Sequence, residues 1–241
     1  MSNPRDSLYD LRMFLTTDYP CGYLPGRLAR NLVADPTVTD NRLYTQLAEL
    51  GFRRSGDHVY RPHCRGCVAC RSLRLPVARF QPNRSQRRIW SHNQDLRTQV
   101  LDAEFKDEHF ELFARYLSAR HAGGGMDPAS EETYWSFIAS RWCPTWLCEF
   151  RRDRELLAVA VMDRLDNGLS AVYTFFDPLE VARGLGTYAI LWQIAEARRL
   201  DLQWVYLGYW IEQCGKMVYK ARFKPYEIFV TERWGWTAVE I

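Results

Sequence analysis

The sequence predicts a mixed α/β fold, and three observations carry the prediction. Strand-length runs at 145–151, 155–164 and 169–176 follow one another closely. A helical stretch at about 187–199 comes next, after a glycine turn, Arg183-Gly184-Leu185-Gly186. A short apolar run, Trp204–Gly208, then reads as a buried strand. The order strand–strand–strand–helix–strand differs from a Rossmann unit, because no early strand–glycine–helix opens it.

The remaining elements can be justified in order. Pro25-Gly26 marks a turn within 22–36, which Asp35-Pro36 closes. Asp40 is placed to cap a helix through Leu43, Leu47 and Leu50, with Gly51 just beyond its end. Phe52 to Tyr60 reads as a hairpin around Ser55-Gly56-Asp57. Residues 71–80 (RSLRLPVARF) alternate apolar and basic, as a half-buried strand with an arginine-lined outer face would. A basic helix or turn runs from Ser85 to about Asp95, and 107–120 place Phe110, Phe113 and Leu117 on one helical face. A second helix covers roughly 130–141. Between them Gly123–Gly125, with His121 and Met126, is either a loop at a ligand or a structural linker. The linker is the favoured reading, with Asp127 as a helix cap. Asp166-Asn167-Gly168 is a hairpin turn. The chain divides into a basic, cysteine-containing region, 1–100, and a larger domain, 101–241.

Composition excludes several classes. With 47% hydrophobic and 14% aromatic residues the chain is no disordered segment. No window approaches 18 uncharged apolar residues, against a membrane span. Met1–Asp6 lead into no apolar stretch, so a secretory signal is not expected. Seven cysteines, an odd number in a chain this long, point to a reducing cytoplasm. The net charge of +3 hides an asymmetry: residues 1–100 carry 16 arginines against 8 acids. Within 53–88 ten arginines face one acid, Asp57. Arginine forks bind phosphate bidentately, so a nucleic acid is the expected partner, a solvated basic face the plain alternative.

Three stretches carry chemistry. ARGLGTYAI (182–190) is similar to the pyrophosphate loop of acyl-CoA-dependent N-acyltransferases, although Arg183 abuts Gly184 where that loop needs a spacer. YLGYWIEQCGKMVYKARFKP (206–225) interleaves aromatics with cations; packed aromatics and solvated lysines on a helix would explain most of it. VYTFFDP (172–178) ends a strand on a carboxylate, Asp177, or simply closes a turn. Cys64, Cys67 and Cys70 have spacing compatible with zinc or an iron–sulfur cluster. With no fourth cysteine nearby, Cys21 is the best distant ligand and His58 and His63 the local ones; reduced, packed thiols are the other reading. Cys143, Cys148 and Cys214 read as isolated core residues.

Taken together, Cys21–Asn31, Leu50–Cys70, Phe80–Arg88, Arg120–Asp127 (RHAGGGMD), Ser170–Pro178, Leu185–Ile190 and Tyr206–Pro225 resemble the bacterial aspartate/glutamate leucyltransferases, relatives of the eukaryotic arginyl-tRNA–protein transferases. The resemblance implies a GNAT-like (acetyltransferase-like) mixed sheet and transfer of leucine from Leu-tRNA to proteins beginning with Asp or Glu. It further implies entry of the product into N-end-rule degradation, a cytoplasmic setting, and neither DNA nor membrane as partner. No cofactor is required for the transfer. The eukaryotic branch has a second cysteine three positions after the first, where Leu24 stands here, and that departure weakens the metal site.

By position, Asp177 would accept or orient the amine, and Tyr209 or Tyr173 would donate to the oxyanion or the ribose. Lys216, Lys220 and Arg222, with Glu212 and Tyr219 in the same stretch, are candidates for substrate binding. Arg27, Arg30, Arg53, Arg54, Arg71, Arg84, Arg87 and Arg88 are candidates for tRNA phosphates, and Cys21, Cys64, Cys67 and Cys70 for a metal. A CoA-dependent N-acyltransferase, an arginyl donor, and a non-catalytic zinc-ribbon RNA binder are the competing readings.

Overall fold

A computed structural model describes residues 11–124, 126–230 and 233–236. The start at Met1–Asp6 and Gly125 of the glycine run lie outside the described residues.

Residues 11–70 form a small layer. Strands β1 (Met13–Leu15), β4 (Asn31–Ala34), β5 (Arg53–Ser55) and β6 (His58–Pro62) make an antiparallel sheet in the order β1-β4-β6-β5. β2 (Tyr19–Pro20) pairs with β3 (Leu28–Ala29) beside it. Helix α1 (Asn41–Glu49) starts at Asp40, whose Oδ1 accepts the Leu43 N–H at 2.7 Å. Gly51 follows at φ +82°, with no room for a Cβ beside the Phe229 ring, so glycine is required there.

The larger sheet has eight strands. They are β7 (Arg71–Pro76), β8 (Arg97–Asp102), β9 (Thr145–Arg152), β10 (Glu155–Arg164), β11 (Gly168–Phe176), β12 (Trp204–Trp210), β13 (Glu227–Val230) and β14 (Arg233–Trp236). Their order is β14-β13-β7-β12-β11-β10-β9-β8. The β11–β12 pair is parallel, joined by a helical crossover, and the other pairs are antiparallel. A mixed α/β fold is what the element order predicts.

Alternation along β10 splits the core between two faces. Ala158, Ala160 and Met162 pack with α2 (Arg84–His92) and α5 (Leu185–Arg199), including Leu185, Ala189 and Ile194. Val159 and Val161 face α3 (Asp107–Arg120) and α4 (Glu131–Ile138), against Phe113, Tyr134 and Phe175. Asn83 and Gln86 close a capping box on α2, and Ser130 caps α4 by accepting the Thr133 N–H.

Several expectations are corrected. β7 has no arginine-lined outer face: it lies inside the sheet, between β12 and β13. Arg74 is buried, its Nε 2.7 Å from Glu227 and its guanidinium held between the rings of Trp204 (3.5 Å) and Trp234 (4.2 Å). Asp127 caps no helix; its carboxylate accepts the Gly123 N–H at 2.7 Å and closes the glycine loop. Residues 206–225 are not a helix but the end of β12, turns, and a 3-10 stretch, Val218–Arg222. Cys143, Cys148 and Cys214 are buried, as read.

Candidate active site

The site begins where two strands part. β11 and β12 pair only through Gly168–Ser170 and Trp204–Tyr206. The register of β12 on β7 then shifts between Tyr206 and Gly208, and Gly208 takes φ +79°, a left-handed conformation that suits glycine. Beyond that point the carbonyls facing the gap need donors from elsewhere. Arg53 Nη2 donates to the Ala171 carbonyl at 2.6 Å, and Lys220 Nζ donates to the Tyr209 carbonyl at 2.7 Å.

The gap opens into a cleft of about 1140 Å³. Its walls are the second half of β11, the end of β12, the start of α5 at Gly184–Thr187, the end of α3 with the glycine loop, and the turn carrying Lys216–Lys220. One side is apolar, with Tyr116, Leu117, Met126, Phe137 and Tyr173. The charged lining is lopsided. Arg53, Arg120, Lys216 and Lys220 stand against Glu180 alone, and Glu180 is already held by Arg152 (3.0 Å) and Arg183 (3.1 Å). Burial, then the charge of Arg53, pushes the Lys220 pKa down to about 7. Burial likewise lowers His121, helped by Lys216 and Arg120.

The expected residues fare differently. Tyr173 lines the cleft, its ring edge-on to Phe113 and Phe137, and burial raises its pKa so that the phenol stays protonated. Tyr219, Lys216 and Lys220 line it as well. Asp177 does not: its Oδ1 accepts the Leu179 N–H at 2.8 Å, its Oδ2 is 3.9 Å from Arg115, and it lies outside the lining. The Tyr209 hydroxyl is committed to structure, donating to the Tyr60 carbonyl at 2.9 Å. Glu212 is exposed and pairs with Arg71 at 3.4 Å, and Arg222 is exposed away from the cleft.

The arginine block also divides. Arg54 cannot meet a phosphate: its side chain is fully buried on Asp163. Arg53 is buried in the cleft rather than on an outer surface. Arg71 lies over the Trp210 ring at 4.7 Å. Arg30 donates to the His63 carbonyl at 3.2 Å. Arg27 is exposed, and so are Arg84, Arg87 and Arg88 on the outer face of α2. Arg120, which the sequence reading did not single out, lines the cleft together with His121, Gly124 and Met126 of the glycine loop, the loop-at-a-ligand alternative rather than the favoured linker. The signal for Arg120 was present in RHAGGGMD, where an Arg-His pair directly precedes the glycine run.

The thiols of Cys21, Cys64, Cys67 and Cys70 converge on a separate pocket of about 430 Å³. Burial and the neighbouring thiols, Cys64 foremost, push Cys70 up to about 12. Cys21 Sγ accepts the Leu24 N–H, and Cys64 faces the Arg30 carbonyl. Among the described residues no three His, Cys, Asp or Glu side chains are grouped to hold a metal ion. No helix among the described residues is long and apolar enough to cross a membrane.

Fold and cleft define a mixed α/β protein with a partly apolar, partly cationic cleft where two parallel strands diverge. The family models described as arginine-tRNA-protein transferase, N terminus and C terminus, match residues 19–88 and 108–230. An aspartate/glutamate leucyltransferase of Nitrosococcus oceani is 53% identical over 230 residues, covering 95% of this chain and 97% of that one. Its counterpart in Pseudomonas fluorescens is 50% identical, covering 93% and 96%. The chain belongs to this family of transferases, the arginine-tRNA-protein transferases. Among solved structures, L-PGS from Bacillus licheniformis aligns with a TM-score of 0.46 at 10% identity over 58% of this chain and 45% of that one, too remote to define the fold.

Proposed function

We propose that the protein transfers leucine from Leu-tRNA to the α-amine of proteins that begin with Asp or Glu. The observation that carries this reading is the charge balance of the cleft. An acidic acceptor meets Arg53, Arg120, Lys216 and Lys220, while an arginyl donor would find only Glu180, already doubly engaged. A leucyl side chain instead suits the apolar wall around Phe137 and Tyr173. The names of the relatives support the same donor and acceptors.

The chemistry asks little of the protein. The ester of an aminoacyl-tRNA is already activated, and an α-amine with pKa ~7.7–8.0 is partly neutral at cellular pH. The amine nitrogen bonds to the ester carbon, the bond to the tRNA ribose oxygen breaks, and that oxygen leaves with a proton given up by the amine. Orientation and a donor to the oxyanion suffice. Tyr173, a protonated phenol on the cleft wall, would fill the second role. Exposed Arg27, Arg84, Arg87 and Arg88 would hold tRNA phosphates. The divergence of β11 from β12 supports an acetyltransferase-like ancestry. A CoA loop is disfavoured, because Arg183 is spent on Asp95 at 2.9 Å and on Glu180. Leucine at the new N-terminus would send the product to N-end-rule degradation in the cytoplasm.

The test supplies labelled Leu-tRNA or Arg-tRNA with peptides starting Asp, Glu, Lys or Ala. Leucine on the acidic-start peptides alone is expected. Arginine transfer, or leucine on Lys-start and Ala-start peptides, overturns the reading.

A further inference from the structure

Arg53 and Lys220 come from strand β5 and from the 3-10 stretch after β12, far apart in sequence, yet they meet over one residue. A Cβ built on Gly208 would stand 3.3 Å from Arg53 Nε and 3.6 Å from Lys220 Nζ. The two cations thus close on Gly208 from both sides, and a side chain at 208 would crowd Arg53, while both also line the cleft. Each spends one donor on a strand carbonyl. Arg53 Nη1 is buried and has no hydrogen-bond partner among the described residues. The Lys220 ammonium has donors left after its single bond to Tyr209. Neither makes an ion pair with an acid among the described residues, in contrast to the buried Arg54 and Arg74, which both do. A buried, unpaired donor on a cation is costly unless a ligand completes it.

We infer that Arg53 and Lys220 form the subsite for the side-chain carboxylate of the acceptor's N-terminal Asp or Glu, with Gly208 keeping side-chain bulk away from the pair on the cleft wall. A carboxylate brings two oxygens, one for each cation, and charge-assisted bonds of this kind discriminate strongly against the neutral amide. A tRNA phosphate fits less well, since the pair lies at the strand divergence, within the cleft, while Arg84 and Arg88 stand exposed on an outer face. This assignment moves Arg53 from the tRNA to the acceptor, and it rests on the proposed leucine transfer.

The experiment measures kcat and KM for leucine transfer to peptides that differ only in a first residue of Asp, Glu, Asn or Gln. Wild type, Arg53→Met and Lys220→Met are compared, with thermal unfolding and tRNA binding as controls. The wild type is expected to prefer Asp over Asn. Each variant should lose roughly 10–100-fold in kcat/KM for Asp and Glu, mainly through KM, with little change for Asn and Gln. Lys220→Met, at a half-buried position in a turn, keeps the test open should Arg53→Met fail to fold. Equal losses on acidic and amide peptides, carried by kcat, would overturn the subsite and move the pair to the oxyanion. An unchanged Asp-to-Asn ratio would also overturn it. Absence of any leucine transfer by the wild type is a different failure, that of the underlying reading, and removes the subsite with it.

Discussion

Arg54 and Asp163, 109 positions apart in the chain, form an ion pair with no solvent exposure on either side chain, Nε to Oδ2 at 2.7 Å. The guanidinium also reaches the Ile138 carbonyl at 3.0 Å and Thr145 Oγ1 at 2.9 Å, so it ties β5 of the small layer to β9, β10 and α4. Removing one partner strands a buried charge. Asp163→Asn and Arg54→Met should each destabilise the protein by about 3–5 kcal/mol in urea denaturation. An Arg54→Met protein of native stability and weakened tRNA affinity would return Arg54 to the nucleic-acid surface.

The exposed arginines have the opposite signature. Arg84 and Arg88 lie on the outer face of α2. Arg84→Ala and Arg88→Ala should each weaken tRNA binding and reduce the slope of log affinity against log salt by about 1, with thermal stability unchanged. A titration of tRNA at several salt concentrations reads both. An unaltered slope in both variants would place the tRNA elsewhere.

How much of this was legible follows from the distance over which each feature is decided. Asp40, Gly51 and the Asn-Gly turn act within a few residues, and they stand as the sequence implies. β8, with its exposed RTQVLD, and β13 carry no strong alternation, so their place in the sheet comes from the neighbours they pair with. The arginine block misled because its acids are remote: Asp163, Glu212 and Glu227 pair with Arg54, Arg71 and Arg74 across more than a hundred residues. The cleft was half legible. Lys216, Lys220, Tyr173 and Tyr209 line it, but the Tyr209 hydroxyl and the Asp177 carboxylate are each bound to a backbone group. Which hydroxyl or carboxylate is already spent is a matter of packing, and no local pattern encodes it.

Tyr209→Phe and Asp177→Asn test that last distinction. The Tyr209 phenol donates to the Tyr60 carbonyl, so its loss should cost about 1 kcal/mol of stability and leave kcat for leucine transfer within about twofold. Asp177→Asn keeps an oxygen for the Leu179 N–H and should likewise leave kcat near wild type. A loss of 100-fold or more in either, measured with an Asp-start peptide, would restore it to the chemistry.

Lys220 gives the acceptor preference a pH dependence of defined sign. Its ammonium faces Arg53 from β5, Cys214 from the turn after β12, and the Tyr209 carbonyl. Burial and Arg53 hold its pKa at about 7, while Cys214 opposes them weakly. Below that value the lysine is charged and attracts the carboxylate; above it, binding must first take up a proton. The ratio of kcat/KM for Asp-start over Asn-start peptides should therefore be highest near pH 6 and fall as pH rises through about 7. Each peptide is normalised by the titration of its own α-amine, since the Asp carboxylate raises that pKa relative to Asn. Arg53 stays charged throughout, so the preference should level off above pH 8 rather than vanish. In Arg53→Met the repulsion is gone, and the midpoint should move to higher pH. A ratio that is flat from pH 6 to 9, or that rises, would mean that the ammonium of Lys220 does not meet the acceptor carboxylate.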